Sequence, residues 1–386
     1  MLQRHTHGRR RRKPNHYSLS REITRFRKLT WLLLFVSLLS SPNRAGAPEK
    51  TLQIKLSQPL ELGRKESFFA SIASICEDNQ SNFYVLDRLE YTVLKFSPDG
   101  RLLQKIGQKG QGPGDFQSPA QVVFTAEREL AVLEDSSYVS FLKTSGVFIR
   151  RLDLNGKLGL GYIGPDRFYG WIWRPMDKQQ VMIDGKNNII ATFHSKAKDQ
   201  FLISIPDESG RAVGFNYDSE IYVPSFLFDH SGSLSVAGIS SLYDLKLLDQ
   251  AGQTVLSIKR DLKPEKIGER ERHYFEQDIL ELAKAKGWPV RVARELVKKL
   301  PKTKNCISAV RLSGKHVFVF RFAPDISRKD APVPVDIFTT QGSFLGAAEI
   351  HEIPLFISEK AMYFARSDDS GNIFLVRMDY SLRKLA

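Results

Sequence analysis

Apolar and polar positions alternate along this chain in short runs that return in a fixed order. Residues 69–106, "FASIASICEDNQSNFYVLDRLEYTVLKFSPDGRLLQKI", divide into four runs: Phe69 to Cys76, Asn82 to Leu86, Thr92 to Phe96 and Arg101 to Ile106. The joints "EDNQSN" and "SPDG" hold the Asp, Asn, Pro and Gly that tight turns need, so each unit is predicted to be four short antiparallel strands. The same grammar recurs over 120–152, 179–217, 225–262 and 306–350. A sixth unit, residues 354–379, supplies only three runs. Residues 51–56, "TLQIKL", alternate Leu52, Ile54 and Leu56 with polar neighbours, as a half-exposed outermost strand does. Placed on the last unit, they complete it and remove an open sheet edge.

A repeat of this length built from four strands fits a ring of blades or a sandwich. In "NFYVL", "VFVFRF" and "NIFLV" both alternating sets are apolar, which suits sheets covered on both faces rather than a sandwich with one wet side. First strands carry small residues, such as Ala70, Ser71, Ala73 and Ser74, as strands crowded round an axis should; Phe226 and Phe228 in the fourth unit are bulkier. The prediction is an all-β chain, a six-bladed β-propeller over residues 49–386 closed by an N-terminal strand. Residues 263–304 interrupt it between blades four and five. There Phe275, Ile279, Leu282 and Ala283 follow helical spacing, "GWP" breaks it, and Ala293, Leu296, Val297 and Leu300 resume it.

Residues 82–122, "NFYVLDRLEYTVLKFSPDGRLLQKIGQKGQGPGDFQSPAQV", carry "VLD", "VLKFSPDG" and "GQGPGDFQSP" in a familiar order. This stretch resembles the NHL-repeat six-bladed β-propellers, especially exported bacterial propellers of unassigned function. The resemblance runs over about residues 51–386, and its motif is specific only in the first blade and the junction that follows. The glycines of "GQKGQGPGDF" also invite a phosphate-binding reading. No Gly-Lys-Ser/Thr follows them, Pro113 interrupts them, and the chain continues as a strand rather than a helix. The loop therefore reads as a tight crossover between blades, with Asp115 turning the chain and Phe116 wedged between sheets.

Net charge is +14, but residues 1–44 hold eleven Lys or Arg against the single acid Glu22, a net +10 that leaves about +4 for the rest. The numbers demand no nucleic-acid face. The basic stretch precedes "WLLLFVSLL" (Trp31 to Leu39) and the small polar run "SSPNRAGA", the order of an export signal, and nine apolar residues are few for a bilayer span. Residues 1–48 are thus expected to be a signal peptide or a signal anchor. Pro48 after Ala45-Gly46-Ala47 disfavours cleavage, and no cysteine stands ready for lipidation. The expected location is extracytoplasmic, periplasmic or secreted, with membrane attachment only through the apolar segment, and the expected state is a monomer. Cys76 and Cys306 are too few for a disulfide framework or a zinc site and read as buried thiols, with a bridge between them left open.

Links from strand two to three and from strand four to the next blade share one face of such a ring. Residues 156–177, 263–304 and 323–333 are the long links, and all three are expected on that face. It is predicted to gather ligand-binding residues: Arg88, Glu90 and Tyr91 in one link, Lys109, Asp115 and Phe116 in the next, and Tyr169, Trp171, Trp173 and Arg174 with Tyr162 and Phe168 in the first insertion. Aromatics and Arg are the composition of binding hot spots; covering the channel mouth is the competing role for the aromatics. The ligand class is a protein or a carbohydrate. Resemblance to propeller enzymes implies an alternative, a metal-dependent lyase or hydrolase with channel histidines or carboxylates. His194, His230, His273, His316 and His351 lie outside the predicted first strands, so no catalytic residue, metal ligand or cofactor is assigned.

Overall fold

The computed structural model describes residues 52–385 except 64–68, 136–137, 155–158, 174–176, 198–201, 207–211, 217–224, Lys263 and Lys329. The leader expected over residues 1–48 lies outside them. The turn chemistry works as its residue types require. Asp78 accepts the Asn82 amide at 2.9 Å, and Asp184 and Asp368 accept those of Asn188 and Asn372 in the same way. Each Asp side chain satisfies backbone donors that a tight reversal leaves unpaired.

In chain order the first strands are β1 (Leu52–Leu56) and β2 (Leu60–Leu62), which belong to the last sheet. Blade one is β3 (Ile72–Glu77), β4 (Phe83–Asp87), β5 (Thr92–Phe96) and β6 (Leu102–Ile106). Blade two is β7 (Pro119–Phe124), β8 (Glu129–Glu134), β9 (Tyr138–Lys143) and β10 (Phe148–Asp153). Blade three is β11 (Gly159–Gly164), β12 (Arg167–Trp173), β13 (Asp177–Asp184) and β14 (Ile189–Ala197), followed by a separate hairpin, β15 (Leu202–Pro206) and β16 (Ala212–Asn216). Blade four is β17 (Phe226–Ser231), β18 (Leu234–Ile239), β19 (Asp244–Leu248) and β20 (Thr254–Lys259). Helices α1 (Glu269–Ala285) and α2 (Val290–Lys298) come next. Blade five is β21 (Ala309–Leu312), β22 (His316–Phe320), β23 (Val333–Thr339) and β24 (Phe344–Ile350), and blade six is β25 (Phe356–Ile357), β26 (Ala361–Ser367) and β27 (Ile373–Lys384). Within each blade the strands pair antiparallel in chain order.

Closure is visible twice. β1 pairs with β27 from Leu52 opposite Lys384 to Leu56 opposite Tyr380, and β2 continues alongside, Leu60 to Leu62 against Arg377 to Leu375. Six apolar clusters, each shared by two neighbouring blades, then complete the circle. Phe83 and Phe96 of blade one meet Tyr363 and Leu375 of blade six, and Phe318 and Ile337 of blade five meet Phe364 and Val376 on its other side. The remaining clusters join one to two, two to three, three to four and four to five. Every blade is therefore dry on both faces, which explains the doubly apolar strands. The chain is a six-bladed β-propeller.

The third blade differs from the sequence reading, which placed it over 179–217 and treated 156–177 as an insertion. Residues 159–173 are its first two strands, and the hairpin over 202–216 lies outside the blade. The inner strand escaped recognition because its small residues are glycines. At Gly161 a Cβ would stand 2.2 Å from the Phe228 ring. Bulky inner residues on blade four are accommodated by removing side chains from blade three.

Candidate functional site

Strand direction alternates, so the links after β14, after β20 and between β22 and β23 lie on one face of the ring. The second and third are joined. α1 and α2 pack together through Phe275, Ile279, Val292, Ala293 and Leu296, and Ile326 of the β22–β23 link packs on them. Lys304, at 3% exposure, donates to Glu271 Oε1 at 2.8 Å and to the carbonyls of Ala323 and Pro324 at 2.9 and 2.8 Å. Glu271 also accepts the Ile326 amide at 3.1 Å and caps α1 through the Gly268 amide at 2.8 Å. A buried charge persists only when so compensated. At the root, Asp336 takes Arg260 and the Tyr243 hydroxyl, both at 2.7 Å. The result is a fixed platform.

Its outer surface is strongly basic. Between residues 284 and 302 stand Lys284, Lys286, Arg291, Arg294, Lys298, Lys299 and Lys302 against one acid, Glu295, and all seven cations are exposed because Val292, Ala293 and Leu296 turn inward. The sequence reading weighed charge over the whole chain after the leader and so missed this local concentration.

On the same face, at the junction of blades one and two, Arg88 pairs with Asp135, Lys109 Nζ stands 5.0 Å over the Tyr91 ring, and Glu90 is exposed. These four expected residues are brought together. Asp115 and Phe116 serve the loop itself. Asp115 accepts the Gly112 amide at 3.1 Å, and Phe116 is fully buried against Gly107, whose φ of +77° only glycine adopts readily. The amides of Gly110, Gly112 and Phe116 are spent on internal partners, so they are not presented to an anion. Tyr169, expected at the surface, is buried in β12, stacked on Phe228 at 4.2 Å and bonded to Gln180. Tyr162 and Phe168 are buried as well. Trp171 and Trp173 belong to β12 rather than to a loop, and Arg174 lies outside the described residues.

A second feature lies on the axis. The inner strands surround a cavity of about 330 Å³ lined by Cys76 and Glu77, by Gln121 to Phe124, by Phe228 to Gly232, and by Arg311 and Phe356. The lining follows β3 from Ala73 to Glu77 and β7 from Ala120 to Phe124, so the cavity runs along the inner strands as far as their ends at the short-turn face. His230 falls in β17, an inner strand, contrary to the expectation that no histidine did; the predicted strand stopped at Asp229, two residues before the observed end at Ser231. Its Nδ1 meets Ser235 Oγ at 2.9 Å, its ring stands edge-on to Tyr162 at 5.3 Å, and Nε2 has no hydrogen-bond partner among the described residues. Asp229 Oδ2 accepts the Leu312 amide at 2.6 Å. Among the described residues no group of three or more His, Cys, Asp or Glu is placed to hold a metal. Cys76 and Cys306 are free, and burial pushes both thiols up.

Burial lifts the Asp229 carboxyl to about 6 against the pull of Arg311, and burial lowers the His230 imidazole to about 4. The signs oppose. A raised carboxyl costs stability as pH rises from about 4 to 6, whereas a depressed imidazole costs stability as pH falls from about 6.5 to 4. Each effect is on the order of 3 kcal/mol. Asp229→Asn is therefore expected to lose stability on acidification through this window, relative to the parent, and His230→Gln to gain it. Urea titrations at pH 4 and 6.5 check this; two variants that track the parent would refute it.

Residues 59–199 match the DUF5128 family model, described as "6-bladed beta-propeller". No curated protein is similar to the chain in sequence. Among solved structures, a member of the duf4221 family from Bacteroides vulgatus is 10% identical, with TM-score 0.49 over 88% of this chain and 100% of its own. A putative exported protein from Bacteroides fragilis is 13% identical, with TM-score 0.47 over 86% of this chain and 96% of its own. Virginiamycin B lyase from Staphylococcus aureus is 9% identical, with TM-score 0.38 over 85% and 99%. The match in sequence covers blades one to three, and the remaining blades complete the same six-bladed architecture in structure.

Proposed function

We propose that this propeller is an extracytoplasmic binding module whose platform face docks the acidic surface of a partner protein. The observation that carries the reading is the platform itself: a helical insertion fixed by a buried ion pair, presenting seven exposed cations against one acid. Insertions on a rigid scaffold vary without disturbing the core, so elaboration confined to one face reflects recognition more than stability. Arg88, Glu90, Tyr91 and Lys109 extend the same face, and Trp171, Trp173 and Arg174 remain candidate ligand-binding residues. The extracytoplasmic location rests on the basic and apolar leader, whether cleaved or kept as an anchor. Protease added to spheroplasts should then digest any propeller that is not already in the medium, and a chain protected until the inner membrane is lysed would reject export.

The docking test reverses charge where folding is not at stake. Arg291→Glu with Arg294→Glu and Lys298→Glu is expected to weaken capture of envelope proteins at least tenfold while leaving the melting temperature unchanged, because these side chains are exposed. Parent capture should also fall as salt rises. Undiminished, salt-independent capture by the reversed variant would remove the platform from the interface.

A further inference from the structure

The axial cavity is independent of the platform, and its polar groups are specific. Asp229 Oδ2 accepts the Leu312 amide at 2.6 Å, the carboxylate also takes a backbone hydrogen bond from His230 and feels the charge of Arg311, and its two oxygens keep lone pairs for a further donor. Arg311 spends Nε on the Pro354 carbonyl at 2.9 Å and Nη1 on that of Val310 at 2.8 Å, which leaves Nη2. Blades four and five thus offer one acceptor and one donor at the same cavity. Phe124, Phe228 and Phe356, each partly exposed, give it apolar walls. Two further lining residues, Gln121 and His230, hold buried polar atoms, Oε1 and Nε2, without partners among the described residues. Such atoms are rare in folded proteins and mark places where an occupant completes the bonding.

We propose that the axial cavity is a binding site for a neutral polyhydroxylated ligand, a sugar, held between the Asp229 carboxylate and Arg311 Nη2. Neighbouring hydroxyls on one ring carry a donor and an acceptor side by side, the complement of this pair. A carboxylate ligand would stand against the Asp229 carboxylate, like charge on like charge in a partly buried site. An amino group would leave the guanidinium facing a cation. Aromatic walls suit the apolar C–H faces of a sugar ring, and about 330 Å³ lies at the small end of ligand pockets, enough for one or two rings.

Saturation-transfer NMR on the full chain tests this with three probe sets: neutral sugars (glucose, galactose, mannose, maltose), amino acids (glycine, glutamine) and glucuronate. Saturation of at least one neutral sugar, and of neither other set, is the expected result. Asp229→Ala should weaken it at least tenfold. Ala120→Leu, which fills the cavity and leaves the polar pair in place, should abolish it, and the melting temperature of each variant confirms folding. No neutral sugar bound by the folded parent, preference for amino acids or glucuronate, or sugar binding that survives Ala120→Leu would each overturn the proposal. Capture through the platform should be untouched by Ala120→Leu, so the two sites fail separately.

Discussion

Deleting residues 52–62 is expected to lower the melting temperature by more than 10 °C or to cause aggregation. β1 and β2 together cover β27, so their loss bares a long edge of the sixth blade. An uncovered edge of this kind pairs readily with other chains. Packing is lost as well: Leu52 is 6% exposed in the cluster joining blades five and six, and Leu62 is 7% exposed in the cluster joining six and one. Truncating a buried leucine costs about 2–5 kcal/mol, and two of them with their ladder approach the ~5–15 kcal/mol that holds a whole domain. An unchanged melting temperature and a monomer in light scattering would contradict closure by this strand.

Lys304→Ala is expected to release the platform while the ring stays folded. Its ammonium neutralises Glu271 and satisfies two carbonyls, and removing one partner of a buried pair costs about 3–5 kcal/mol because the other charge is stranded. Hydrogen exchange should rise across residues 264–302 and in the β22–β23 link, with little change in β4 or β8. Lys304→Met combined with Glu271→Gln removes both charges and should recover most of the loss. If Lys304→Ala exchanges like the parent, the ion pair does not hold the platform.

Much of this architecture was legible because turn residues and two-sided apolar strands repeat. Asp78 to Asn82 and "SPDG" set the strand ends, and "TLQIKL" was placed on the last blade from its alternation and from the strand missing in the sixth unit. The third blade was misread because its inner strand is glycine-rich and its aromatics, Tyr162, Phe168 and Tyr169, look like surface hot spots when they are interblade packing. Composition alone cannot separate those roles; the answer lies in Phe228, across the blade boundary. The same limit applies to the axis. Asp229 and His230 gain meaning from Leu312, Arg311 and Tyr162, which are distant in sequence. The basic platform could have been found by counting charge within the helical insertion, since seven of its cations fall in nineteen consecutive residues, 284 to 302.

The central claim is that the platform face is the working face for a protein partner. Hydrogen–deuterium exchange of the chain, alone and with its captured envelope partner, tests it most directly. Protection is expected at residues 284–302, 88–91 and 107–110, with the turns at 78–82, 125–128 and 231–234 unchanged. Protection of those short turns, with 284–302 exchanging as in the free protein, would contradict it.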